Sequence, residues 1–319
     1  MAYSSVIRRP GRLAVLLVLS LARFAPAAVA GGGPFAFAVT SDPHDAVDAF
    51  QLVLQEIKAP TTGTDASAPA CGFLAVAGDL HRLEALHAAY RETFDGSATM
   101  RAFLPATGDH SQTPHREYMN KEILAKLPQA VVPDARTVNY TFDWRNVRLV
   151  VADPNQPLHG ANRFLNENGC KWVEEAIRAA PPAVEHIFIV MHEPPFPRQR
   201  HEKDMTPQVQ PVRDAFWNML LKHRSRVRAV FTGHTHYYNR MRVAAPAGAA
   251  ANDLKQYPDE KDGLWQISVG ASGARTDFLS YVRVVVDGSS VKVATYTREG
   301  TAGAFNLREK WALTEGARP

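Results

Sequence analysis

Cysteine is almost missing from this chain: Cys71 and Cys170 are the two in 319 residues. So small a supply excludes a disulfide scaffold, and neither residue has the spacing of a thiolate metal cage. The two either pair with each other or stay as buried thiols. No HExxH helix occurs, because His192-Glu193 runs into Pro194-Pro195 and His201-Glu202 has no second histidine at the required spacing. Gly270-Ala271-Ser272-Gly273 is not a nucleophile elbow, since glycine follows the serine directly. A P-loop and a dinucleotide-binding glycine fingerprint are both lacking. Internal repeats and any composition shift that would mark a second globular domain are lacking too.

A membrane-spanning apolar run is also missing from the leader. Leu13–Leu21 falls well short of the roughly 20 residues a spanning helix needs. It follows Arg8, Arg9 and Arg12 and precedes an Ala/Pro-rich segment ending Ala28-Val29-Ala30 before Gly31. This is the layout of a secretory signal peptide over residues 1–30, cleaved after Ala30. An uncleaved anchor is the alternative. Arg8-Arg9 also has the look of a twin-arginine signal, with Pro10-Gly11 where an apolar residue is more usual. The expected location is secreted or periplasmic. Once the leader is set aside, no excess of one charge remains. The leader holds four arginines and no Lys, Asp or Glu, and the chain's 36 basic residues less those four equal its 32 acidic ones. No basic patch argues for nucleic acid or an anionic membrane.

What is present, over residues 31–319, reads as one domain in which strands and helices alternate. Short apolar runs at Phe35–Val39, Phe73–Ala77, Ala102–Leu104, Val147–Val151, Ile187–Met191 and Ala229–Phe231 read as buried strands. Helical spacing predicts helices at Asp45–Ile57, Leu83–Tyr90, Trp172–Ala179 and Val212–Leu221. The last fifth is all strand-like: Trp265–Val269, Val282–Val286 and Val291–Tyr296. Pro60–Ala70, Pro194–Gln210 and Ala244–Gly263 read as loops. The second of these follows His192 and either borders its site or is an exposed connector.

Polar clusters follow five of the strand-like runs, at the strand ends where α/β-type sheets place their chemistry. They are Asp42-Pro43-His44, Gly78-Asp79, Gly108-Asp109-His110, His192 and Gly233-His234-Thr235-His236. Residues i and i+2 of an extended segment point to one side, so Asp42 with His44, and His234 with His236, can converge on one cation. A carboxylate such as Asp79 has two oxygens and can bridge two cations. Together the clusters offer three carboxylates, four imidazoles and a spare histidine. That exceeds one tetrahedral site and suits two hard or borderline divalent metals with O/N ligands.

This ordered set resembles the D-x-H, G-D, G-N-H, H and G-H-x-H pattern of the calcineurin-like metallophosphoesterase superfamily, which includes purple acid phosphatases. The resemblance runs from about residue 35 to about residue 300 and also takes in Tyr140-Thr141-Phe142-Asp143 and Trp172. It implies a four-layer αββα sandwich of two mixed β-sheets, of α+β class. It implies that Asp42, His44, Asp79 and His236 hold one metal, and Asp79, Asp109, His192 and His234 the second. The ions would be manganese, iron, zinc or similar. A hydroxide on the metals would attack the phosphorus of a small phosphoester in line, with His110 as general acid at the leaving group. The rival readings are a cyclic-nucleotide or phospholipid head-group phosphodiesterase, and a metal-binding interaction module with little catalysis.

Two positions depart from the pattern. Asp109 stands where the family usually has asparagine, so it keeps a ligand oxygen but loses the NH2 that could donate to phosphate. Ser111 stands where an acidic residue is common. His81, His87, His115, His159, His186, His201 and His223 match no metal motif, although His115 and His201 lie in loops that could face substrate.

Overall fold

Alternation along the central strands sends successive side chains to two different apolar layers, and this sets the architecture. The computed structural model describes residues 33–314 apart from 60–67, 112, 128, 133–137, 155–163, 205, 247–261 and 274–276. The leader with its expected cleavage after Ala30, and most of the Pro60–Ala70 and Ala244–Gly263 loops, lie outside the described residues.

In chain order the first elements are β1 (Phe35–Thr40), α1 (Val47–Lys58), β2 (Cys71–Val76), α2 (Leu83–Phe94), β3 (Ala102–Pro105) and α3 (Thr113–Tyr118). Next come β4 (Ala130–Val131), β5 (Tyr140–Trp144), β6 (Val147–Val151), α4 (Glu167–Arg178), β7 (His186–Val190) and α5 (Gln210–Lys222). The chain ends with β8 (Val227–Thr232), β9 (Tyr238–Val243), β10 (Leu264–Val269), β11 (Phe278–Asp287), β12 (Ser290–Glu299) and β13 (Asn306–Thr314). One sheet has the order β13-β12-β11-β1-β2-β3 and the other β4-β5-β6-β7-β8-β10-β9. Both are mixed, with β1, β2 and β3 parallel in the first and β6, β7, β8 and β10 parallel in the second.

The sheets pack face to face through aromatic rings. Phe37 of β1 stacks on Phe73 of β2 at 4.7 Å and meets the edge of Phe188 of β7 at 5.3 Å. Each such pair adds roughly 0.5–1.5 kcal/mol beyond burial. Leu149, Val151, Val190 and Phe231 join this inner layer. Their neighbours Val150, Ile187, Ile189 and Val230 turn the other way, into a second cluster with α4 and α5 residues. On the outside of the first sheet, α1 buries Phe50, Val53, Leu54 and Ile57 at helical spacing. The result is the four-layer αββα sandwich expected.

Periodicity finds β6 residue for residue but starts α4 at Trp172 rather than Glu167. The first turn of α4 depends on its cap, the Asn166 side chain accepting from Gly169 N–H at 2.9 Å, and not on apolar residues. The edge strand β13 escapes the pattern because little of it is buried. Instead, Arg240 of β9 pins it, lying 4.7 Å over Trp311 and 5.0 Å over Trp265 and pairing with Glu309 at 3.0 Å.

The cysteines are both free. Cys71 lies in the first sheet and Cys170 in α4 outside the second, so the intervening layer forbids a bridge. Burial pushes their thiols up, to about 11 and about 12.

Candidate metal centre

The parallel arrangement brings the loops after β1, β2, β3, β7 and β8 to one edge of the sandwich. Backbone hydrogen bonds tie these loops together. Asp42 N–H donates to Gly78 O at 3.2 Å, His44 N–H to Asp79 O at 2.9 Å, and Gly233 N–H to His192 O at 2.9 Å. The Asp42 carboxylate accepts the backbone N–H of His234 at 3.0 Å, joining the first loop to the last.

Asp42, His44, Asp79, His234 and His236 all adopt left-handed backbone, with φ of 49, 50, 54, 66 and 62°. Strain of this kind costs of order 1–3 kcal/mol per residue and persists where surrounding contacts over-determine it. Two glycines make the close approach feasible. A Cβ at Gly78, whose φ is +93°, would collide with the His192 ring, and one at Gly233 would lie 2.5 Å from Asp42 Oδ2.

All seven expected ligands are brought together. Asp42, His44, Asp79 and His236 form one buried group whose ligand atoms lie within 4.8 Å of one another, and Asp109, His192 and His234 form another. Asp79 stands between them: Oδ1 is 3.4 Å from His192 Nε2 and Oδ2 is 3.8 Å from His44 Nδ1. In the second group the ring tautomers suit a cation. His192 Nδ1 donates to Ala77 O at 2.8 Å, so Nε2 faces Asp79 and lies 3.2 Å from Asp109 Oδ1.

In the first group a relay of hydrogen bonds holds the rings. Arg200 Nη1 donates to His236 Nδ1 at 2.6 Å, which leaves His236 Nε2 to donate to His44 Nε2 at 3.0 Å. His44 Nδ1 in turn lies 3.3 Å from His81 Nε2. A cation on both Nε2 atoms requires His236 to carry its proton on Nδ1. The donor set fits two divalent cations, provided Arg200 then releases that nitrogen.

The electrostatics follow from burying acids against imidazoles. Burial pushes Asp79 and Asp109 up, but His192, and for Asp109 also His234, outweigh it and hold both carboxyls well below the usual range. Burial pushes His192 and His234 down, yet their carboxylate partners prevail, raising His192 well above its ordinary value and His234 to about 9. His44 goes the other way, lowered by burial to about 4 despite Asp42 and Asp79 nearby.

His110 borders these groups, with Nε2 4.0 Å from Asp109 Oδ2 and a ligand atom within 4.8 Å of those of Asp79 and His81. Its side chain is 53% exposed, at the rim, and its ring packs on His81 at 4.8 Å. Ser111 does not orient it; the Ser111 hydroxyl accepts from Gly108 N–H at 2.9 Å and closes the turn. Four residues here have no place in the motif series: His81, Arg200, His201 and Asp204. His81 had a signal, because Asp79-Leu80-His81 repeats the spacing of Asp42-Pro43-His44. The other three come from Pro194–Gln210, which borders the site. His234 Nε2 lies 2.8 Å from Asp204 Oδ2.

The family model for calcineurin-like phosphoesterases matches residues 35–238. No curated protein matches the sequence. Among solved structures, a dimetal phosphatase from Danio rerio is similar with a TM-score of 0.56 and 12% identity, over 89% of this chain and 99% of that one. A purple acid phosphatase from yellow lupin (Lupinus luteus) seeds is similar with a TM-score of 0.55 and 11% identity, over 88% of this chain but 54% of that one. PhoD has a TM-score of 0.53 and 12% identity, over 89% of this chain and 73% of that one. At such identities these likenesses concern the fold. The matched family model covers most of the chain and all five motifs, and the protein belongs to the calcineurin-like phosphoesterase family, as a phosphoester hydrolase.

Proposed function

We propose that this protein hydrolyses small phosphate esters with two divalent cations, one held by Asp42, His44, Asp79 and His236 and the other by Asp79, Asp109, His192 and His234. The observation that carries this reading is the Asp79 carboxylate, whose oxygens face one donor group each at 3.4 and 3.8 Å. Bound there, the cations would offset phosphoryl charge and supply a water nucleophile near neutral pH.

The chain's own residues do the rest. Buried donors on strained turns hold the ligand geometry with little room to relax. His110, open to solvent, gives its proton to the leaving oxygen and regains one from water. Asp109 is held ionised by the imidazoles beside it, so it would hold its cation with full charge and offers no donor to phosphate. Arg200, on the exposed rim, brings a compensating guanidinium. We further propose export through the residue 1–30 leader, with the mature chain starting at Gly31.

The test is metal analysis of the mature protein together with turnover of p-nitrophenyl phosphate and its bis-ester. Two bound ions and hydrolysis of either ester support the proposal, and the ratio of rates separates monoesterase from diesterase. Full metal occupancy with no turnover across a broad phosphoester panel would favour a binding module.

A further inference from the structure

Two imidazoles converge on a single carboxylate oxygen beside the second donor group. His234 Nε2 lies 2.8 Å from Asp204 Oδ2, and His201 Nδ1 lies 3.1 Å from the same oxygen. The two rings overlap, with centroids 4.0 Å apart and planes tilted by 35°. Asp204 ends a short 3-10 turn, Glu202–Asp204, in the loop after β7. That turn is braced locally: Gln199 N–H donates to Glu202 Oε1 at 3.0 Å, and Asp204 N–H to His201 O at 2.9 Å.

An ionised carboxylate only accepts, so both ring nitrogens facing it carry hydrogen. With its proton on Nε2, neutral His234 presents a lone pair on Nδ1, which lies 3.5 Å from Asp109 Oδ1. We propose that Asp204 is a positioning residue for the second cation: it sets the tautomer and ring orientation of His234, and His201 steadies the carboxylate. This rests on the two-cation reading above. The rival arrangement is a third cation held by His201, Asp204 and His234, whose ligand atoms lie within 4.8 Å of one another. His234 faces the second donor group with Nδ1, so its Nε2 keeps the ring hydrogen and meets Asp204 as a donor rather than as a ligand of a third ion.

The consequence is specific to one of the two cations. A carboxylate behind a metal-bound imidazole typically contributes about 10–100-fold in metal affinity. Manganese titrated by calorimetry into wild type, Asp204→Ala, Asp204→Asn and His201→Ala tests this. Wild type is expected to bind two ions. Asp204→Ala weakens one of them by about 10–100-fold and leaves the other within about twofold. Asp204→Asn keeps an acceptor oxygen without the charge and falls between, and His201→Ala gives a smaller loss at the same ion. Melting of the metal-free variants confirms that each is folded.

Unchanged affinity for both ions in Asp204→Ala overturns the inference alone. Equal weakening of both ions, or loss of a third ion that wild type binds, overturns it as well. Fewer than two ions in wild type would remove the two-cation reading and this inference with it.

Discussion

Arg200 donates to His236 Nδ1 at 2.6 Å, and that one hydrogen bond decides where the histidine keeps its proton. His236 then donates from Nε2 to His44, across two sheets and 192 residues of sequence. A cation needs that Nε2 lone pair, so a guanidinium on Nδ1 and a cation on Nε2 exclude each other. Replacing Arg200 with Gln is therefore expected to leave metal affinity equal or tighter. The same change raises KM for phosphoesters several-fold, because the rim loses its charged donor. Calorimetry and steady-state kinetics on Arg200→Gln check both halves; weaker metal binding with unchanged KM contradicts the assignment.

Asp109 adds a negative charge where the family pattern has an amide. Asp109→Asn should weaken the second cation and strengthen ground-state binding of phosphate, seen as a lower KM and tighter inhibition by inorganic phosphate. One charge-assisted contact of this kind is worth about 1.5–3 kcal/mol, or roughly 10–150-fold. Equal metal affinity and equal KM in the two proteins would sink the idea.

Loss of a general acid hurts most where the leaving group is poor. His110→Ala should lower kcat by about 10²–10⁴-fold on alkyl phosphoesters. On p-nitrophenyl esters, whose leaving group departs without a proton, the loss should be much smaller. A uniform loss across leaving groups would instead assign His110 to binding or structure.

Protons and cations compete at His234. Burial lowers its pKa, but hydrogen bonds to Asp109 and Asp204 win and lift it to about 9 from 6.5. Because the folded value is the higher one, stability from this proton is fully present below about pH 6.5 and is lost as pH rises through about 9. A cation must displace this proton, and His192 in the same group is raised as well, so affinity at the second group climbs with pH over that window by at least about tenfold per unit. His44, held near 4 by burial, has no proton to lose there. Manganese calorimetry between pH 6.5 and 9 should thus show one steeply pH-dependent ion; two pH-invariant ions would refute the competition.

The strand ends and their acid–histidine clusters were legible because a buried strand has a plain apolar signature and each cluster follows one directly. Ile187–Met191 before His192 and Ala229–Phe231 before Gly233 are short, wholly apolar and bounded by polar residues. Helices α1 and α5 were legible to within two residues at each end, since their buried stripes show as spacing, whereas the last turn of α2, the first turn of α4 and all of short α3 were missed. Strand β13 was not, because an edge strand with little burial leaves no apolar pattern and is held by Arg240 from the other sheet.

By itself, the sequence determined which residues could bind a cation, their order and the alternating α and β elements, because those depend on residue type and local periodicity. Only the tertiary structure decided which donors meet. Asp79 faces both groups because β1 and β2 run parallel beside each other in one sheet while β7 and β8 end opposite them in the other. Arg200 and Asp204 gain their partners because the loop after β7 folds back over the turn after β8. Cys71 and Cys170 stay apart because a sheet lies between them. Hydrogen bonds between residues distant in the chain depend on the packing of layers, and no local pattern encodes them.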